Sequence, residues 1–576
     1  MRQNISPPLS LSVREANPES ARSLPDVASV IPWSTWPEGL EEAQRYKRPI
    51  LALAEPTWAN SAQRLSFILE QDASITSLIS KHVVPILLDP DERPDLVTAW
   101  RYASVTQTGT SGPPLLMLLT HEGGPILSYC NMSIEGNDLY PSLASVIESL
   151  SEEYGNDPDR FLLEARSPFD LSAKLPSAED KEIGWGGLRQ QLDLTYGGLS
   201  ELPKHPRPFL LWTLLEAHDQ DVLPDDLVRW LVRSLDSMVR GAMYDQIDRG
   251  FHRCARDDRW ILPHFEKPIP LNAQLAAVYA RAADQFQNRH YRDISNHLLS
   301  FCLVALHGNV DVIASDSNYY TWTAKEILNT LEPTLVQVVS LHYDITPISN
   351  RQALHRAVEL EDMDRYSHED LDVLRARLIK GRAQLRLARQ RRPAPPVLSL
   401  PTLSWRAETV RWLFSAARWT PTLDIPEVES SLDQLISGRF DSRRGYLRQG
   451  YEAPAFSAWL EDQASLLGAF ISAYAVTGSP RWLERSKELA DVVIAQYWSD
   501  AGWLDQANGN ALSFAVIDDV IPSTIGTLTI ALMQLAEALG DPAIVEQVSK
   551  AARAHSPMAA RSGYWAIAAW QSSPPQ

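Results

Sequence analysis

Cysteine is scarce in this chain of 576 residues: only Cys130, Cys254 and Cys302 occur, and none lies within metal or redox spacing of another. That excludes a disulfide framework and a cysteine-type zinc site, and fits a reducing compartment. Positive charge is also short. Lys and Arg total 53 against 72 Asp and Glu, a net charge of −19, which argues against nucleic acid or an anionic membrane as the main partner, because neutralising phosphates takes a basic surface. No apolar run approaches the roughly 18 residues of a membrane span. The Ser/Pro-rich stretch from Met1 to Val30 has no apolar core behind basic residues, so it does not read as a signal peptide. A soluble, cytoplasmic protein is expected. Gly-x-Gly-x-x-Gly, Walker-type, His-Glu-x-x-His and Gly-x-Ser-x-Gly motifs are all missing, so no cofactor and no metal are expected.

What is present is an ordinary globular composition, 44% hydrophobic and 22% charged. The chain is longer than one core usually serves, so two domains, or one large α-barrel with an appendage, are expected. Residues 1–30 read as a flexible segment. From 31 to 151 strand and helix alternate. Pro49–Ala54, Val83–Asp89, Leu115–Leu119 and Pro125–Tyr129 are apolar runs of strand type, with helices over Ala59–Glu70 and from Pro94 towards Ser104. This β-α-β-α-β-β order suits a small α/β domain with one mixed sheet, and Pro113-Pro114 is a candidate cis bond. Residues 152–182 are charged, carry Pro158, Pro168 and Pro176, and read as a linker.

From 183 to 576 helical periodicity dominates, in roughly twelve segments forming about six pairs. The connections repeat one grammar, an acidic residue, a short gap, then Gly and an aromatic or Leu. It occurs in Asp193 to Leu199, Asp245 to Phe251, Asp441 to Tyr446 and Asp500 to Trp503. Asp followed by Gly is turn chemistry, so each is expected to be a hairpin linking the two helices of a pair. Six pairs wound into a ring give an (α/α)6 toroid with a central cavity; an open α-solenoid is the competing architecture. The basic run Arg382–Arg392 reads as a solvated helix end.

Two sets of residues resemble one known family. Trp33-x-x-Trp36, Lys47-Arg48-Pro49-Ile50 and Asp89-Pro90-Asp91-Glu92-Arg93-Pro94-Asp95 are similar to the thioredoxin-like domain of the spermatogenesis-associated thioredoxin-like proteins. Tyr244-Asp245-Gln246, Gly250-Phe251-His252-Arg253, Asp258-Arg259-Trp260, Pro263-His264-Phe265-Glu266-Lys267 and Asn272-Ala273-Gln274-Leu275 resemble the signature of that family's barrel, with Leu460-Glu461-Asp462 a further match. The resemblance implies a multi-domain chain, an α/β thioredoxin-like domain followed by an all-α (α/α)6 toroid related in architecture to N-acylglucosamine 2-epimerases and six-hairpin glycosidases. The chain also departs from the family. Its two cysteines fall on Pro56 and Ala59 and the flanking histidines on Thr57 and Asn60, so the thiolate that exchange chemistry requires is missing. A Tyr-Asp pair of the family stands here as Pro270-Leu271, and a Tyr as Gln463.

The stretch from Tyr244 to Lys267 concentrates acids, bases and aromatics to a degree that neither helix cores nor solvated loops require. Sugar epimerisation needs a base and an acid on opposite faces of one carbon, and glycoside hydrolysis needs two carboxylates about 5–9.5 Å apart. His264 and Glu266, two residues apart near a helix start, are expected to share one pocket with His252 and Asp245 as the nearest groups to any chemistry; helix capping and turn formation are the structural alternatives. Tyr244, Phe251, Arg253, Trp260, Lys267 and Asn272 are expected to line it, joined by Glu461, Asp462 and Trp503 from later loops. The expected ligand is a sugar or related polyol. The alternative is a catalytically silent binding or scaffold protein with a protein partner.

Overall fold

The apolar run Ile50–Ala54 (β1) is buried along its whole length because it has a neighbour on each edge and a helical layer on each face. In this computed structural model the described residues are 30–56, 58, 60–112, 114–129, 134–136, 141–166, 169, 188–346, 350–365, 369–449, 456–509 and 511–562. The stretch before residue 30, Thr57, Ala59, the Pro113-Pro114 bond, Cys130 and residues 170–182 of the expected linker lie outside them.

β1 runs parallel to Val84–Leu88 (β2) and antiparallel to Leu115–Leu119 (β3), and β3 runs antiparallel to Pro125–Ser128 (β4). The order is β2-β1-β3-β4, so the β-α-β-α-β-β order read from the sequence is present. Side chains alternate along each strand. Ile50, Ala52, Val84, Ile86 and Met117 face a layer with Ala43, Val97 and Trp100, while Leu51, Leu53, Leu116 and Leu118 face one with Ile75, Ile79, Leu143 and Ile147. The first layer comes from α1 (Trp36–Tyr46) and α4 (Pro94–Thr108), the second from α3 (Ala73–His82) and α5 (Leu143–Asn156); α2 is Asn60–Gln71. α3 has no counterpart in the sequence reading. Asp72 starts it, its carboxylate accepting from the Ser74 and Ile75 N–H groups. The segment read as a linker also begins as helix, the end of α5 and then α6 (Pro158–Glu164), because Tyr154 and Phe161 are buried there.

Beyond two short helices at Ser317–Tyr320 and Ala324–Thr330, the longer helices that follow among the described residues fall in six successive pairs: α7 and α8 (Pro208–Asp219, Asp225–Arg240), α9 and α10 (Ile269–Gln285, Arg289–His307), and α11 and α12 (Pro333–His342, Leu371–Arg389). Then follow α13 and α14 (Ser404–Ala417, Ile425–Ile436), α15 and α16 (Leu460–Thr477, Pro480–Gln496), and α17 and α18 (Thr524–Leu539, Pro542–Ser562). α9 is buried from Ile269 to Ala283 and α15 is buried over most of its length, whereas α8 buries one stripe; helices apolar all round are inner ones. The chain forms two compact units, one of residues within 182–399 and 412–431, the other of residues within 15–181, 400–411 and 432–576.

The repeated Asp-to-Gly connections do form hairpins. Leu192 pairs with Leu199, Tyr244 with Phe251, Phe440 with Tyr446, and Trp498 with Trp503. Their place differs from expectation: they sit between pairs or before the first one. Within the last two pairs the turn is shorter, at Gly478-Ser479 and Gly540-Asp541, where a left-handed glycine ends the preceding helix. One device holds two of the hairpins. Asn272 accepts from the Phe251 N–H at 2.6 Å and donates to the Phe251 carbonyl at 3.0 Å, and Gln463 does the same for Tyr446 at 2.8 Å each way. Each carboxamide sits four residues into an inner helix, and so fixes a loop to the wall.

Candidate functional site

Asp245 is set by its hairpin. Its carboxylate accepts from the Ile247 N–H at 3.1 Å, and Arg249 and Gly250 close the turn with φ of 69° and 81°. Lys267, on the short strand before α9, donates to Asp245 Oδ2 at 2.7 Å and to the Arg249 carbonyl at 2.7 Å. Arg389, in the last turn of α12, donates to both oxygens of Asp245 at 2.9–3.0 Å and to Asp248 Oδ2 at 2.6 and 3.0 Å. Arg386, one turn earlier, donates to Asp248 Oδ1 at 2.7 Å. Tyr320 lies against both Lys267 and Arg389, 4.9 and 5.4 Å from ring centre to cation. Despite burial, Arg389 and Lys267 hold the Asp245 carboxyl well below the usual carboxylate range. Burial in turn lowers Lys267.

His252 stands beside this network. Its Nδ1 lies 3.1 Å from the Phe265 carbonyl, which can only accept, so Nδ1 carries the proton and Nε2 is the basic atom. Burial, reinforced by Lys267, pushes His252 down to about 3: it is neutral at physiological pH. Phe265 and Tyr320 stack at 5.6 Å, and His252 meets both edge-on. Asp245, His252, Phe265, Tyr320, Trp322 and Arg389 line a cavity of about 10 Å³, room for roughly one water.

The structure brings His252 and Asp245 together but not His264 and Glu266. In an extended segment neighbouring side chains point to opposite faces; Phe265 takes the cavity, and the residues on either side are absent from its lining. His264 pairs across a two-residue strand with Cys254, and burial with Arg253 and Arg256 nearby pushes it down to about 3. Glu266 is fully buried with Arg253 Nε at 3.5 Å. Phe251 stacks on Tyr279 at 5.7 Å, Trp260 is fully buried and donates to the Tyr196 carbonyl at 3.0 Å, and the Tyr244 hydroxyl lies 3.4 Å from His297 Nδ1. With Asn272 these form the scaffold of the site. Glu461, Asp462 and Trp503 lie in the other unit. Asp462 accepts from the Leu403 and Ser404 N–H groups at 2.9 Å each, Glu461 accepts from the Ser404 hydroxyl, and the Trp503 backbone N–H donates to His555 Nε2 at 2.9 Å.

Sequence reasoning missed Arg386, Arg389 and Asp248. The signal was there in spacing: Asp245 and Asp248 are three apart on a turn, Arg386 and Arg389 three apart on a helix, and the two sets match.

Residues 16–170 match the family model Thioredox_DsbH, a protein of unknown function, DUF255. Over most of its length the chain is similar to spermatogenesis-associated protein 20: 26% identical over 540 residues to the Homo sapiens protein, covering 82% of this chain and 68% of that one. The Mus musculus protein is 24% identical over 559 residues, covering 85% and 70%. The family resemblance read from the motifs is therefore borne out. Among solved structures, cellobiose 2-epimerase from Bacillus thermoamylovorans B4167 aligns with a TM-score of 0.40 at 11% identity, over 65% of this chain and 84% of that one. No helix among the described residues is long and apolar enough to cross a membrane.

Proposed function

We propose that this chain is a carbohydrate-binding protein, a thioredoxin-like domain without redox cysteines fused to an (α/α)6 toroid, which takes one hydroxyl group of a sugar or polyol at the cavity beside His252. The observation that carries this reading is the pairing of a buried, neutral imidazole with the stacked Phe265 and Tyr320 rings. A ring face for stacking and a base with a free lone pair are what binding and proton transfer at a sugar carbon need. Epimerase-like modification would use His252 as the base and Lys267 and Arg389 to stabilise developing negative charge. The domain boundaries, the cytoplasmic location and the lack of thiol–disulfide exchange belong to the same proposal. A melting screen of the whole chain against a sugar library tests it. A saturable rise in midpoint that His252→Ala abolishes and His264→Ala leaves in place is expected; a flat response across the library removes the reading.

A second reading, a catalytically silent scaffold, has its own observation. Asp245 is fully committed to Lys267 and Arg389, and the cavity has room for about one water. In that case the ionic cluster is a structural clasp, and binding is to a protein partner.

A further inference from the structure

A polar centre in the other unit has unfilled valences. Asp89 and Asp91 come from the loop after β2, Glu461 and Asp462 from the first turn of α15, and Arg448 interacts electrostatically with all four. Trp58 donates its indole N–H to Asp91 Oδ2 at 3.2 Å and meets Trp405 edge-on at 5.2 Å, and the Arg448 guanidinium lies 5.6 Å from the Trp459 ring centre. Asp462 uses Oδ1 for the Leu403 and Ser404 N–H groups. Its Oδ2, Asp89 Oδ2 and both Nη atoms of Arg448 are buried with no hydrogen-bond partner. Arg448 is 2% exposed, and its Nε stays 3.6 Å from Asp462 Oδ2. Buried donors and acceptors left without partners are costly, and in folded proteins such gaps are filled by a ligand or by ordered water.

We propose that this centre is a binding site for a neutral polyhydroxylated ligand, a sugar or polyol, held between the Asp89–Asp91 loop and the start of α15. The unmade bonds choose the class. Arg448 needs acceptors and the two aspartates need donors, and a hydroxyl group supplies both. Four carboxylates around one guanidinium repel a phosphate or carboxylate ligand. Among the described residues no group of His, Cys, Asp and Glu is placed to hold a metal ion. Trp58, Trp405 and Trp459 supply the apolar faces that a sugar ring stacks on. Burial also pushes Asp89 up to about 7 and raises Asp91, Glu461 and Asp462. The site is separate from the cavity beside His252, and neither depends on the other.

The test is titration of the full chain with N-acetylglucosamine, cellobiose and sorbitol, reading tryptophan fluorescence and the melting midpoint. Saturable quenching by at least one probe is expected. Asp91→Asn, Glu461→Gln and Arg448→Lys should each weaken it at least tenfold while unfolding as cooperatively as the wild type, and His252→Ala should leave it intact. Equal binding by Asp91→Asn and Glu461→Gln overturns the assignment. So does binding that only His252→Ala removes, which moves the ligand to the other cavity. No saturation with any of the three probes leaves water as the only occupant, and overturns it as well.

Discussion

Arg389 reaches across 144 positions of sequence to grip both carboxylate oxygens of Asp245 at 2.9–3.0 Å. Both side chains are almost completely buried. Removing one partner of such a pair strands the other charge, a cost of about 3–5 kcal/mol. Arg389→Ala is expected to lose that much in urea unfolding, and Arg389→Lys most of it, since a lysine cannot span two carboxylates at once. A loss under ~1 kcal/mol would mean the pair behaves like a surface bridge.

Acid sensitivity should come in part from His252. Its folded value, about 3, lies below the unfolded value of roughly 6.5. The stability of its buried neutral form is therefore fully present above about pH 6.5 and is lost as pH falls towards 3. His252→Gln should narrow the difference in urea midpoint between pH 7 and pH 5. The acid limb should not vanish, because His264, His297 and His342 are pushed down to about 3 by the same burial. An unchanged difference in the variant would show that His252 is not the group responsible.

Much of the fold was legible because its signals are local. The four strands of the sheet are apolar runs bounded by turn residues, and the Asp-to-Gly hairpins follow from turn chemistry within a few positions. The placement of those hairpins was not legible, because two-residue turns such as those at Gly478 and Gly540 are too short to carry a pattern as distinctive as the aromatic hairpins do. In the site, the closeness of Asp245 and His252 follows from their sharing one hairpin, while the period of two in an extended segment gives Phe265 the cavity and leaves His264 and Glu266 out of its lining. Arg386 and Arg389 read as a solvated helix end because a run of arginines has the same composition whether it meets water or buried carboxylates; only the spacing matched to Asp245 and Asp248 distinguishes the two. Trp58 and Asp91, 33 residues apart, meet only through tertiary structure and carry no joint signature.

Gly198 should tolerate no side chain. Its φ is +69°, and an added Cβ would stand 2.5 Å from the Trp260 ring and 2.9 Å from Lys204. Trp260 is fully buried, and Lys204 is tied to the Asp193 carboxylate and the Asp258 carbonyl, so neither can move aside freely. Gly198→Ala should add overpacking of about 1–3 kcal/mol to the backbone strain. Gly109 is the control: its φ is +74° with nothing within 4 Å, so Gly109→Ala should show only the left-handed penalty of about 1–2 kcal/mol. Melting of the two variants side by side checks this, and equal losses would mean that the Trp260 contact contributes nothing.

Glu55 acts in the opposite direction to His252. Burial pushes it up to about 8, and one of its oxygens is buried without a hydrogen-bond partner. The folded state therefore holds a proton that the unfolded chain releases near pH 4.3. Between those two values the native form binds more protons, so stability falls as pH rises from about 4.3 to 8, and the full cost of the buried charge is felt above that. Glu55→Gln keeps the shape and removes the charge. It should match the wild type near pH 5 and exceed it at pH 8.5 by on the order of 1–3 kcal/mol. Asp505, which burial pushes up to about 7, contributes the same slope and should leave a residual decline in the variant. A variant that gains nothing at pH 8.5 over pH 5 would place the Glu55 carboxylate in contact with water.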